Sequence, residues 1–248
     1  MSAAVLILAA LGAWQLIVGM GVIDPLLLPA PTHVAVSLWE DRALLGPDLL
    51  VTLGEVLLGL AAAIAAGCVL GLGMHLWAPL RRALAPLVIG SQAVPVPVIA
   101  PLFILLFGFG LAPKVLMVAL ICFFPVTINL YDGLRDVDPD ARKLMRTFGA
   151  SRWRVLRFLE APAALPQAFT GIKIAAAVAV IGAVFAEWAG SDRGLGHAVL
   201  IASGQLETAR AFAATFLLFV LAITIYAAFA LLERRVVDWI PRNRPGDR

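Results

Sequence analysis

Long apolar runs, separated by short charged or proline-rich stretches, leave this chain few ways to fold. Ala3 to Ile23, Leu49 to Trp77, Ala83 to Phe107, Val115 to Tyr131, Phe169 to Trp188 and Ala211 to Leu232 are each dominated by apolar residues. A helix of about 20 such residues crosses the hydrocarbon core of a bilayer. The expected fold is therefore all-α, a polytopic membrane protein with six transmembrane helices. Composition points the same way: 62% of the 248 residues are hydrophobic and 14% are charged, against about 45–50% and about 25% in soluble domains. The first run has no Lys or Arg before it and no clear small-x-small site after it, so it reads as a membrane helix, not a cleaved signal.

Charge orients the spans. Arg81 and Arg82, then Arg135, Arg142, Lys143, Arg146, Arg152, Arg154 and Arg157 in one central loop, then Arg234, Arg235, Arg242, Arg244 and Arg248, fall in alternate connections. The other connections hold only Arg42, Lys114, Arg193 and Arg210. The positive-inside rule then puts both termini and the central loop in the cytoplasm. Lys173, near the start of the fifth run, reads as a snorkelling lysine. The net charge of +3 is small and sorted by topology, with no basic stripe interleaved with aromatics, so a nucleic-acid partner is not expected. Cys68 and Cys122 lie in apolar runs and read as small packing residues, not as a disulfide or metal pair.

Two features interrupt the apolar runs. The third contains SQAVPVPVIAP, where Pro95, Pro97 and Pro101 cannot all sit in a regular helix. Irregular backbone in a membrane is tolerated where protein or a water-filled cavity satisfies it. This segment, with Ser91 and Gln92 beside it, is either a stretch of translocation path or a kinked packing helix. The second feature is the glycine series Gly54, Gly59, Gly67, Gly71 and Gly73, a small face on which another helix can pack closely. Polar residues in spans usually face the interior, so Asn129 and Glu187 join Gln92, Pro95 and Pro97 as candidate path residues. Glu55 reads either as an interfacial carboxylate or as a path contact. A short interfacial helix is expected after Pro31, with Thr32 as its cap. The glycine-punctuated stretch after Glu187 reads as re-entrant or interfacial.

The central loop, residues 132–166, is the longest charged passage. Asp138-Pro139 is a helix-start signature, so a short helix is expected from Pro139 to Phe148. Gly149 is placed to end it with a positive φ. Ser151 can cap a second helix, Arg152 to Glu160, before Pro162 and Pro166 break the path back into the membrane. Leu144, Met145, Phe148 and Trp153 are apolar residues among the charges, which a merely solvated loop does not explain. Such a knob fits a groove on a partner.

The chain lacks the G-x-x-x-x-G-K-[ST] phosphate cradle, H-E-x-x-H, paired-Cys spacing and the G-x-S-x-G elbow. Its titratable groups are scattered. A conduit is expected, with the energy source elsewhere, and no metal site. The competing classes are a stand-alone secondary carrier or channel, for which an internal repeat would be expected, and a membrane enzyme, which would cluster its titratable groups.

TFGASRWRVLRFLEAPAALP resembles the cytoplasmic EAA loop of the permeases of binding-protein-dependent ABC importers with the type I fold. Their pattern is EAA, three residues, Gly, nine residues, Ile, one residue, Leu-Pro. Gly149 takes the glycine and Pro162 the proline. The EAA triplet falls on Lys143, Leu144 and Met145, Leu159 stands for Ile, and Ala161 precedes the proline. LLLPAPTHV, APLFILLFGFGLAPKV, FFPVTINLYDGLRDVDP and AEWAGSDRGLGHAVL resemble the branch importing sulfonates, nitrate, taurine and thiamine-precursor pyrimidines, and SQAVPVPVIAP and RRVVDW are most similar to hydroxymethylpyrimidine permeases.

The resemblance implies a single permease domain over residues 1–248 of a bacterial inner-membrane importer. Two permease copies, expected to be identical, would line the path. Two separate ABC ATPase subunits would use ATP and Mg, with no cofactor bound by this chain. An extracytoplasmic solute-binding protein would deliver the ligand. Pro139, Arg142, Lys143, Leu144, Met145, Phe148, Gly149, Ala150, Ser151 and Pro162 would form the ATPase-coupling loop.

Overall fold

The structure, a computed structural model, describes residues 3–91 and 95–239. Gln92 lies outside the described residues. The described chain is helical: α1 Ala3–Gly19, α2 Pro31–Glu40, α3 Arg42–Leu76, α4 Ala78–Gly90, α5 Val96–Phe107, α6 Leu111–Arg135, α7 Pro139–Thr147, α8 Arg152–Val155, α9 Ala161–Gly190, α10 Leu195–Gly204 and α11 Thr208–Val236. A π-turn, Leu156–Glu160, joins α8 to α9 without a break.

Four of these rods are long and apolar enough to cross a membrane: α3, α6, the continuous Arg152–Gly190 rod and α11. The third apolar run is described as two helices on either side of residues 92–94. These are α4 and α5, of 13 and 12 residues, each too short to cross alone. Pro95 caps α5 and Pro97 lies in its first turn, where the missing N–H costs no hydrogen bond. α1, at 17 residues, and α10, at 10, are also short.

Several local expectations are corrected. Pro162 and Pro166 do not break the path into the membrane. The π-turn comes just before Pro162, and there the Ala161 N–H reaches the Leu156 carbonyl, so the wider turn carries the chain past the proline. Thr32 is not the cap of α2. Ala30 caps it, Pro31 occupies the first turn, and the Thr32 N–H donates to Gln15 Oε1 at 3.2 Å. Lys173 does not snorkel freely; its ammonium meets Glu233 on α11 at 2.6 Å.

The core is built on α3, α6 and α9. Gly59, Gly67 and Gly71 turn toward α6, where an added methyl would strike Val118, Val126 and the Thr127 carbonyl respectively. Gly54, in the same series, opens onto nothing and is not part of the seam. Ala175, Ala176, Ala179 and Ala183 give α9 a fully buried small face, which lets two neighbours approach at once. The opposite helix faces are exposed and apolar: Leu50 and Val69 on α3, Leu105 and Leu106 on α5, Phe219 and Ile223 on α11. In water such a surface would aggregate. In hydrocarbon it is simply solvated.

Candidate functional site

The basic loop is an ordered knob. Asp138 accepts from the Asp140 N–H at 2.8 Å and opens α7. At the other end Gly149, with φ of 76°, donates to the Arg146 carbonyl, and Ala150 donates to Met145. This pair of bonds closes the helix and needs a left-handed residue at Gly149. Ser151 then accepts from the Arg154 N–H at 3.4 Å and starts α8. Leu144 and Phe148 stand 58% and 81% exposed on the knob. Among the described residues Lys143 pairs only with Asp140, at 2.8 Å on the surface.

Two arginines fasten the knob to the core. Arg142 donates through Nη2 to the carbonyls of Leu134 at 2.7 Å and Arg135 at 3.0 Å, the C-terminal end of α6. Arg152 donates to the carbonyls of His75 at 3.3 Å and Leu76 at 2.9 Å, the C-terminal end of α3. A cation on a helix C-terminus meets both unpaired carbonyls and the negative end of the dipole. Glu160, in the π-turn and 7% exposed, ties the two together. Its carboxylate sits 2.7 Å from Arg142 Nε and 2.9 Å from His75 Nε2. Between them lies a cavity of about 200 Å³ lined by His75, Arg142, Arg146, Arg152, Val155 and Glu160.

A second polar cluster closes the far end of the same helices. The first N–H groups of α10 are all taken by side chains. Gly194 donates to Asp48 at 3.1 Å, and Leu195 to Thr52 Oγ1 at 2.8 Å. Gly196 and His197 both donate to Glu187, at 2.6 and 3.1 Å. Thr52 donates to the other oxygen of Glu187 at 2.7 Å. Glu55 accepts from Lys114 at 2.7 Å, and Lys114 also donates to Ser191. Glu55 and Glu187 are each 1% exposed. Gly194, with φ of 120°, leaves no room for a methyl, which would overlap the Glu187 carboxylate.

Two of the candidate path residues, Asn129 and Glu187, lie far apart. Glu187 is committed to α10. Asn129 donates to the Pro125 carbonyl of its own helix at 2.7 Å and packs against Gly171. That places it about 24 Å along α9 from Glu187, at ~1.5 Å per residue. Pro95 and Pro97 are exposed at the start of α5. Among the described residues, no three His, Cys, Asp or Glu side chains gather in a way that could hold a metal ion.

Sequence reasoning missed Glu160, His75 and Arg152 as a unit, and Asp48, Thr52 and Lys114 as partners of the glutamates. Glu160 did carry a signal, as the first acid after the run of cations from Arg142 to Arg157. Lys114 and Glu55 had been placed at the same end by topology, but nothing in the sequence brings residues 59 positions apart into contact.

Comparison with known proteins agrees with this architecture. The chain is 36% identical to a formylaminopyrimidine transport permease protein of Halalkalibacterium halodurans, over 87% of each chain. It is 38% identical to a riboflavin transport system permease protein of Chloroflexus aurantiacus, over 91% of this chain and 85% of the relative. Its fold is shared with a chain of the inward-facing MetNI methionine ABC transporter, with a TM-score of 0.71 at 17% identity, over 79% of this chain and 98% of the other. Residues 59–238, from the glycine seam of α3 through the knob to the end of α11, match one family throughout. The chain belongs to the binding-protein-dependent transport system inner membrane components, a family of transport permeases and not of enzymes.

Proposed function

We propose that the chain is the membrane-spanning subunit of an ATP-driven importer and works through the basic knob. The observation that carries this is the pair Leu144 and Phe148, exposed on a capped helix that is itself fastened to α3 and α6. Exposed apolar side chains on a rigid, charged, water-facing element call for a protein groove. A separate ATPase subunit supplies it, with residues Pro139–Ser151 as the docking surface and Pro162 in the turn behind. Lys143, Leu144 and Met145 stand where the family has its Glu-Ala-Ala triplet, so the contact here is apolar and basic. Closure of two ATPases on ATP pulls the knob, and the two arginines pass that pull to α3 and α6. This biases a two-state element.

In this reading residues 1–248 form one transmembrane domain with six crossings. α1, the α4–α5 pair, α3, α6, α9 and α11 make them, and both termini are cytoplasmic. The broken pair, with Pro95 and Pro97 at its joint, borders the path in a dimer of identical permeases in the bacterial inner membrane. An extracytoplasmic binding protein delivers the solute. The best substrate class is a hydroxymethylpyrimidine-type thiamine precursor. Likeness to the formylaminopyrimidine permease supports it, and sulfonates, taurine and nitrate are the competitors.

The test is uptake by the complex reconstituted in liposomes. Gly149→Asp is expected to insert normally and to lose ATP-dependent uptake. Normal uptake by that variant sinks the docking role. Uptake that needs no ATPase at all turns the reading to a secondary carrier. Competition by hydroxymethylpyrimidine but not by taurine or nitrate supports the substrate class, and the reverse overturns it.

A further inference from the structure

A groove of about 430 Å³ opens at the basic end of the bundle, between α3, α6 and the Arg152–Gly190 rod. Its walls are apolar: Leu72 from α3, Leu130 and Leu134 from α6, and Leu156 and Leu165 from the rod. Cys68 and Ala161 also line it, with Trp153 and Arg157, the last two one turn apart on the rod. We infer that this groove binds an anionic glycerophospholipid, with an acyl chain along the leucines and the phosphate on Arg157.

Three observations converge. The groove lies on helices long and apolar enough to cross a membrane, where lipid can reach it. Arg157 is exposed and has no acidic partner among the described residues, unlike Arg142, which is bound to Glu160. Its guanidinium lies 5.5 Å from the centre of the Phe158 ring. Trp153 is 63% exposed beside it, and an indole at the end of a spanning rod sits naturally at headgroup level. An apolar slot with a single cation at one end matches the acyl-plus-phosphate shape of an anionic lipid, and basic pockets between spans bind such headgroups. The knob uses other residues of the same rod: Arg152, Val155 and Glu160 line the polar cavity, while Trp153, Leu156 and Arg157 line this groove. A lipid here would therefore touch the rod one turn from the clamp without entering it.

The test needs neither ATP nor the proposed coupling, so its failure and the failure of that reading are separate events. The full chain, with whatever subunits accompany it, is placed in nanodiscs of phosphatidylcholine carrying a small fraction of brominated phosphatidylglycerol or brominated phosphatidylcholine. Quenching of Trp153 is read as the difference between the wild type and Trp153→Phe. Brominated phosphatidylglycerol is expected to quench Trp153 at a lower fraction than brominated phosphatidylcholine. Arg157→Gln should shift the half-quenching fraction upward about fivefold, the effect of one cation near a charged surface. Arg157→Lys should keep the preference. Equal quenching by the two lipids would mean annular lipid only and would overturn the proposal. So would no quenching by either, which would mean that protein fills the groove.

Discussion

The two ends of the α3–α6 pair are both sewn up with charged side chains, but by opposite means. At the basic end, arginines donate to the carbonyls that finish α3 and α6. At the far end, carboxylates and a hydroxyl accept from the N–H groups that begin α10. Each sign matches the helix terminus it meets. The ends differ in burial. Glu187 and Glu55 are sealed from solvent, whereas the Glu160 cluster borders an open cavity and Arg142 is partly exposed. A sealed cluster makes removal of one partner expensive, because the group left behind has no water to turn to. An open cluster can exchange partners with water. The far end is thus expected to be the stiffer joint, and the basic end the softer one.

That contrast can be broken or sharpened by substitution. The largest effect is expected at Glu187→Ala, which strands the Gly196 and His197 amides and the Thr52 hydroxyl. The loss should be about 4 kcal/mol, read as a lowered unfolding midpoint in detergent. Hydrogen exchange should speed at residues 194–197 more than elsewhere. Unchanged exchange there would mean that α10 is held by packing alone.

Next comes Lys114→Met, which leaves Glu55 buried without its cation and should cost about 3 kcal/mol. Glu55→Met with Lys114→Met should recover most of that, because an apolar pair fills the same space without a desolvation cost. If the double variant is as unstable as the single, the ion pair itself carries the joint.

At the open end, Glu160→Gln should cost only about 1 kcal/mol of stability. It should nevertheless raise the ATP consumed per solute imported, since Arg142 and His75 lose their common anchor. A stability loss as large as that at Glu187 would erase the distinction between the two ends.

The smallest effects lie outside both clusters. Lys143→Ala removes an exposed pair and should change stability by about 0.3 kcal/mol or less. Asp41, ahead of α3, gives a pH signature. Burial acts to raise its pKa, but the Ser37 hydroxyl and Arg210 outweigh burial and hold it below the ordinary 3.8. A depressed carboxyl stabilises the fold above its unfolded value, so this contribution is complete at neutral pH and drains as pH falls through the lowered value. Arg210→Gln should flatten that acid limb.

Much of the knob was legible in the sequence because its signals are local. Asp138-Pro139, Gly149 and Ser151 each act on backbone within a turn or so, and each appears where expected. The helix following Ser151 was not read correctly. Proline is a local breaker, but a π-turn a few residues earlier cancels it at Pro162, and nothing in LRFLE announces that turn. The third apolar run shows the converse, since Pro95 caps α5 and Pro97 lies in its first turn, where proline is tolerated.

The sequence by itself determined that this chain lives in a membrane, that its helices carry a small-residue seam, and that its basic loop is a capped knob. These follow from hydropathy, from side-chain size and from backbone chemistry within a few residues. Only the tertiary structure decided that Glu187 holds α10, that Lys114 meets Glu55, and that Glu160 joins α3 to α6 through His75 and Arg142. A polar residue inside an apolar run must find a partner. The partners found here lie as far as 146 positions away, and only packing chooses among the candidates at that range.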